Sequence, residues 1–184
     1  MSSAVTNPWI TKSSRVVYAN PWISVREDQV IRPDGKPGIY GVIDIRPSVC
    51  VVAINNRDEV VLVGQWRYSV QRYSWEVPRG GSHPGESDML EVAKRELAEE
   101  AGTLAAKWEN LGAVDICNGV ANDVQSIFLA TELNKTAQKL DPEEDITVKW
   151  VPFKEALAMA MDGRITEVCT IAALMKIAVM RNST

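Results

Sequence analysis

The sequence predicts an α/β fold, a sandwich in which layered strands are flanked by a few helices. Three observations lead there. Short β-rich runs recur along the 184 residues with helical segments interspersed among them, a pattern that implies a sandwich rather than a regular parallel sheet. The run Ser48-Val49-Cys50-Val51-Val52-Ala53-Ile54 is apolar almost throughout, as a strand covered on both faces is. A helical segment over residues 87–101 is closed by Gly102, the residue that terminates helices most readily.

Taken in order, residues 1–14 are polar without periodicity and read as a flexible leader. Residues 15–46 form an N-terminal β segment containing RVVYA, WISVREDQVI and GIYGVIDI. The last two are parted by Arg32-Pro33-Asp34-Gly35-Lys36-Pro37-Gly38, a strong turn signal. Residues 47–184 make up the main domain. There Asn55-Asn56-Arg57-Asp58 turns the apolar run into a strand over 59–68, and a brief strand over 74–78 stops at Pro78. The glycine loop 79–85 and the helix 87–101 follow. Strands are expected at 108–116, 125–133 and 146–151, an acidic loop at 134–145, and helices at 152–161 and 166–180.

Composition limits what the protein can do. Twenty Lys and Arg against 24 Asp and Glu leave a charge of −4, which argues against a general nucleic-acid binder, since those carry basic surfaces. No apolar run is long enough to span a bilayer, and the N-terminus lacks the basic start and apolar core of a secretory signal. Cys50, Cys117 and Cys169 are widely spaced and odd in number, so they are expected as buried thiols of a reducing cytoplasm. The single histidine, His83, sits in a Pro/Gly turn and excludes any site that needs two. Apolar residues in the N-terminal β segment (Val16, Val17, Trp22, Ile23, Val25, Ile31) lie outside the main domain, and exposed apolar surface of that kind marks an interface. A homodimer is expected.

The chemistry concentrates on one helix. On a helical wheel Leu90, Ala93, Leu97, Ala101 and Leu104 fall within an arc of about 80°, a stripe to bury against a sheet. Glu96, Glu99 and Glu100 occupy the adjoining arc, spaced i, i+3 and i+4, where side chains are neighbours. Three like charges repel there, and the helix C-terminus disfavours negative charge. Hard oxygen ligands converging on one point suit Mg²⁺ or Mn²⁺. Alone, such a run would read as a solvated acidic face beside Lys94 and Arg95. It does not stand alone, because a tight Gly/Pro loop precedes it and a capping glycine closes it.

The stretch resembles the signature of the Nudix hydrolases, G-x5-E-x7-R-E-U-x-E-E-x-G-U with U a bulky aliphatic residue. Arg95, Glu96, Leu97, Glu99, Glu100 and Gly102 match its second half position for position. In the first half Gly80 and Glu86 satisfy the glycine-to-glutamate spacing, but eight residues instead of seven then separate Glu86 from Arg95. A one-residue insertion before the helix accounts for the shift. Thr103, with Leu104 beside it, stands at the final aliphatic position. The resemblance covers residues 15–181. Gln65-Trp66-Arg67-Tyr68 and Trp75-Glu76-Val77-Pro78 look like the ADP-ribose pyrophosphatase branch, which acts on nucleoside diphosphate sugars. Cys117-Asn118-Gly119 stands where that branch commonly has Ser-Pro-Gly.

The resemblance implies a Nudix α/β/α sandwich with a central mixed sheet, over residues 47–184. It also implies N-terminal strands that exchange with a second subunit and help build the nucleotide pocket. The activity implied is Mg²⁺-dependent cleavage of a nucleoside diphosphate sugar, such as ADP-ribose or GDP-mannose, to a nucleoside monophosphate and a sugar phosphate. Glu96, Glu99 and Glu100 are the expected metal ligands, completed by a backbone carbonyl at Arg79 or Gly80. Arg95 is expected to orient the glutamates by charge-assisted hydrogen bonds. The base is expected in the acidic loop, Glu144 first and Glu143 second, with a solvated loop of no role as the alternative. Arg67, Arg79, Glu76 and Trp22 are the substrate-binding candidates. Arg67 suits a phosphate clamp or is a surface arginine packed on Trp66; Trp22 stacks on a base or packs in a core. The competing functions are hydrolysis of a dinucleoside polyphosphate, a damaged nucleoside triphosphate or capped RNA, and a nucleotide sensor without catalysis.

Overall fold

The computed structural model describes residues 6–183, and the chain divides into two compact units, residues 1–46 with 117–123 and residues 47–116 with 124–184. The first is an antiparallel meander of β1 (Ile10–Ala19), β2 (Ile23–Ile31) and β3 (Pro37–Ile45). Asn20 makes the first turn, its side-chain oxygen accepting from the backbone N–H groups of Trp22 (2.9 Å) and Ile23 (2.8 Å), as Asn does in tight turns. Every residue of β1 is exposed, and its ladder with β2 slips between Thr11 and Ser13 and between Val16 and Tyr18. The strand begins at Ile10, so the expected leader is wrong for residues 10–14; residues 1–5 lie outside the described residues. In residues 10–14 the Thr and Ser side chains hide a backbone that pairs with β2, Ile10 opposite Ile31 and Ser14 opposite Asp28.

Residues 117–123 belong to this unit. The Tyr40 hydroxyl donates to the Gly119 carbonyl at 2.7 Å, while Asn122 accepts from Ile45 N–H (2.8 Å) and donates to Asp44 (3.0 Å). Cys117 is exposed in this turn rather than buried, whereas Cys50 and Cys169 are buried as expected.

The second unit holds β4 (Ser48–Ala53), β5 (Glu59–Arg67), β6 (Arg72–Glu76), β7 (Arg79–Gly81), α1 (Met89–Ala101), β8 (Thr103–Asp115), β9 (Val124–Lys135), β10 (Thr147–Pro152), α2 (Phe153–Met161) and α3 (Val168–Asn182). One sheet runs β7-β4-β9-β8 and the other β10-β5-β6. The first is mixed, because β4 and β9 are parallel while its other pairs are antiparallel. Alternation along β4 assigns the layers. Val49, Val51 and Ala53 pack with Val92, Ala93 and Leu97 of α1. Cys50 and Val52 pack with Ala156 and Met159 of α2 and with Ala173, Leu174 and Ile177 of α3. The period-two side-chain direction of a strand thus places helices on both sides, giving the expected α/β/α sandwich.

Local chemistry sets the ends of α1. Asp88 is the N-cap, accepting from Leu90 N–H at 2.9 Å, and Gly102 closes the helix at φ +56°, a conformation glycine adopts without penalty. The helix stops there, so Leu104 lies on β8, half exposed, instead of extending the apolar stripe. Among the described residues no helix is long and apolar enough to cross a membrane.

Candidate active site

The glycine loop and α1 meet through the carboxylates. Glu100 is 2% exposed and Glu96 7% exposed. The Arg79 backbone N–H donates to Glu100 Oε2 at 2.8 Å. Glu96 lies against Gly80 so closely that a Cβ there would overlap its carboxylate, which explains why the loop needs glycine at this position. Arg95 sits between the acids, its Nη1 donating to Glu96 Oε1 (2.9 Å) and Glu99 Oε2 (3.0 Å). Its Nη2 donates to the Gly81 carbonyl at 3.1 Å and reaches Glu86 at 3.4 Å. Glu86 also accepts from His83 N–H at 2.6 Å, which ties the loop together, and His83 itself is exposed as expected.

One guanidinium therefore serves Glu86, Glu96 and Glu99, and Glu100 has one backbone N–H bond and the weaker pull of the Arg67 charge. Burial pushes the Glu96 carboxyl up to about 7 against the pull of Arg95, and Glu99 and Glu144 add to the rise. Burial likewise raises Glu100 well above the usual carboxylate range; the Arg79 N–H opposes this, and Glu96 and Glu144 reinforce it. For Glu86 the direction reverses, since the His83 N–H and then the Arg95 charge hold it low. Among the described residues no three acidic, His or Cys side chains already converge as an ion cage. Arg95 stands between Glu96 and Glu99 and bonds to both. Carboxylates buried with too little positive charge, and a guanidinium standing between two of them, fit a divalent cation held by oxygen ligands.

The acidic loop reaches this site because it is sewn to the end of α1. Gln138 donates to the Glu100 carbonyl (2.6 Å), Lys139 N–H to the Glu99 carbonyl (3.1 Å) and Thr136 N–H to the Gly102 carbonyl (2.8 Å). These bonds satisfy carbonyls that a helix end leaves open. Glu144, half buried, accepts from Asp141 N–H at 3.1 Å, and its charge is felt by both Glu96 and Glu100. Glu143 is exposed.

A second charged group lies under the loop. Arg67, at the end of β5, grips Glu76 with two bonds, Nε to Oε1 at 2.9 Å and Nη2 to Oε2 at 2.5 Å. Arg79 Nη1 lies 3.7 Å from Glu76 and 3.0 Å from Glu167. Burial would raise Glu76, but Arg67, with help from Ser74 and Arg79, brings it below the usual value. These side chains line a cavity of about 210 Å³ together with Ser69, Arg72 and Thr166. Trp22 belongs to the N-terminal unit, 61% exposed in the turn between β1 and β2. Glu167 was not singled out from the sequence. A glutamate directly before a helix is a weak signal, because it is an uncommon N-cap.

Residues 44–169 match the Nudix domain, and residues 7–43 match the nucleoside diphosphate sugar hydrolase N-terminal domain. The chain belongs to the Nudix family. This Nudix protein is 30% identical over 170 residues to an ADP-ribose pyrophosphatase of Mycobacterium tuberculosis, covering 91% of the chain and 82% of the relative. It is 27% identical over 166 residues to an ADP-ribose pyrophosphatase of Bacillus subtilis, with 89% of each covered. Its fold superimposes on a crystal structure of an ADP compounds hydrolase with a TM-score of 0.86, at 20% identity and with 98% of each chain covered. It is a pyrophosphohydrolase like the ADP-ribose pyrophosphatases, of a family whose members generally use divalent cations.

Proposed function

We propose that this Nudix hydrolase splits the pyrophosphate link of a nucleoside diphosphate sugar, such as ADP-ribose or GDP-mannose, into a nucleoside monophosphate and a sugar phosphate. Glu96, Glu99 and Glu100, with the backbone carbonyl of Arg79, would hold Mg²⁺, for which Mn²⁺ substitutes. The observation that carries this reading is the burial of Glu96 and Glu100 one residue-turn apart with too little positive charge between them. When bound, the cation neutralises diphosphate oxygens and makes a water more acidic.

The chain's own residues supply the rest. Glu144 accepts a proton from the attacking water, whose oxygen bonds to one phosphorus while the bridging P–O bond breaks and the other phosphate departs. Glu143 is the less suited base, since it is exposed at the loop tip. Arg95 holds Glu96 and Glu99 in place. Arg67 and Arg79 offer charge to the diphosphate from the cavity beside the loop. Trp22 offers an exposed ring for a base.

A second copy of the chain completes the reading. The fully exposed β1 carries Ile10, Val16, Val17 and Tyr18, each about half exposed or more, and burying them against a partner would remove that apolar surface from water. Thiols at Cys50 and Cys117, with Cys169 buried in the core, suit a reducing cytoplasm. The deciding experiment is chromatography of AMP, GMP or UMP released from a panel of nucleotide sugars with Mg²⁺ or Mn²⁺. Product from one or more sugars is expected, and no product with either cation would sink the proposal. Light scattering at micromolar concentration should give the mass of a dimer.

A further inference from the structure

The first two residues of the α3 N-terminal region with side chains turned to the loop, Glu167 and Thr170, do more than start a helix. Glu167 is the N-cap, with Oε1 accepting from Cys169 N–H (3.0 Å) and Oε2 from Thr170 N–H (2.7 Å). A cap alone is better served by Ser, Thr, Asp or Asn. The longer glutamate does something those residues would not reach: the same Oε1 lies 3.0 Å from Arg79 Nη1. Its side chain is only 10% exposed.

Thr170 is fully buried, and its hydroxyl is used twice. It donates to Glu167 Oε2 at 2.8 Å and accepts from Val77 N–H at 3.2 Å. Between these two anchors lies Val77-Pro78-Arg79, whose middle carbonyl accepts from Val51 N–H at 2.9 Å. Arg79 then gives its own backbone N–H to Glu100 at 2.8 Å. A chain of hydrogen bonds runs from the start of α3, through both ends of this three-residue segment, to the buried carboxylate of α1.

We infer that Glu167 and Thr170 are positioning residues for the hydrolytic site: they fix residues 77–79 so that the Arg79 backbone holds the Glu100 carboxylate at the place where a cation would be bound. The inference rests on the function proposed above for Glu100. It concerns residues to which the proposed function gives no contact with the diphosphate or the reacting water. Groups that orient ligands from behind cost about 10–100-fold in metal affinity or activity when removed.

The test separates capping from positioning. Glu167→Asp keeps a good N-cap but shortens the reach to Arg79. Thr170→Val keeps the volume and removes the hydroxyl, and Thr170→Ser restores it. Each variant is assayed for thermal midpoint, for kcat and KM on the nucleotide sugar the wild type cleaves, and for Mn²⁺ affinity by electron paramagnetic resonance of the free ion. Expected for Glu167→Asp are a midpoint within a few degrees of wild type, a KM little changed, and kcat and Mn²⁺ affinity each lower by about tenfold. Thr170→Val should shift the same two quantities, and Thr170→Ser should recover them.

Wild-type Mn²⁺ affinity and kcat in a folded Glu167→Asp protein would overturn the inference, as would a lower melting midpoint with both quantities unchanged. Should Thr170→Val fail to fold, the Glu167→Asp and Thr170→Ser proteins carry the decision. Should the wild type cleave no nucleotide sugar, the proposed function fails, and the Mn²⁺ titration still decides whether α3 anchors the site.

Discussion

Two groups of buried carboxylates meet at Arg79 and behave in opposite ways. Glu76 and Glu100 are each 2% exposed. Glu76 is held below the usual carboxylate range, while Glu100 is driven well above it. Burial pushes both upward, so burial does not explain the difference. Countercharge does. Glu76 receives two bonds from Arg67 and faces Arg79, whereas Glu100 receives one backbone N–H and lies near Glu96 and Glu144. The chain has supplied its own cations on one side of the loop and left the other side short. A structural ion pair and a vacant electrostatic demand can thus be told apart by what surrounds them, not by depth.

The largest effect should come from Glu100→Gln, which removes the least compensated charge. Turnover should fall by roughly 10³-fold, as when a preorganised electrostatic group at a reaction centre is lost. The melting midpoint without metal should hold or rise, because an unpaired buried charge disappears. Steady-state kinetics with Mg²⁺ beside a thermal melt in chelator checks both. Near-normal turnover would remove Glu100 from the metal site.

The mirror experiment is Arg67→Ala. It strands Glu76 in the same condition that Glu100 already occupies, so stability should fall by about 3 kcal/mol, the usual cost of breaking a buried pair from one side. Urea unfolding measures it. A loss well under 1 kcal/mol would mean that water reaches Glu76 once Arg67 is gone, and the contrast between the two groups would shrink.

The two groups should also bend the pH profile in opposite directions. Glu96 binds its proton more tightly in the folded chain, so its contribution is intact below 4.5 and is lost as pH rises through about 7. The loss amounts to roughly 3 kcal/mol. Glu76 shifts the other way, so its contribution is present above 4.5 and is lost as pH falls below it. In chelator the melting midpoint should therefore decline from about pH 5 to 8, and Mg²⁺ should flatten that decline by neutralising the carboxylates. A profile that is level in chelator and indifferent to Mg²⁺ would break the comparison.

What the sequence could reveal was whatever depends on near neighbours. The glutamate spacing, the glycine loop and the Gly102 stop are all local, and they located α1 and its acidic face. The almost wholly apolar run of β4 announced a strand covered twice. Features that depend on register stayed hidden. The β5–β6 register sets Arg67 opposite Arg72 and Glu76 four pairs further along, opposite Val63, and the two long side chains span that interval. Nothing in their nine-residue separation shows that. The strand over residues 10–14 is invisible for the same reason, since its polar side chains become a ladder only beside β2. The acidic loop was legible as acidic, but the bonds from residues 136, 138 and 139 that carry it to the end of α1 belong to tertiary structure.

The smallest effect should fall on Glu86, the residue displaced by the extra position before α1. Its carboxylate is committed first to His83 N–H at 2.6 Å and only then to Arg95, at 3.4 Å. Its side chain is 35% exposed, so solvent screens whatever it contributes to the acidic face. Glu86→Gln can still accept the His83 bond, and kcat should change by no more than about fivefold. The pH dependence of the midpoint in chelator should stay as in wild type, because Glu86 is on the low side of its usual range and Glu96 sets the slope. A loss as large as that of Glu100→Gln would place Glu86 among the uncompensated acids. The boundary between the two groups would then have to be redrawn through the loop itself.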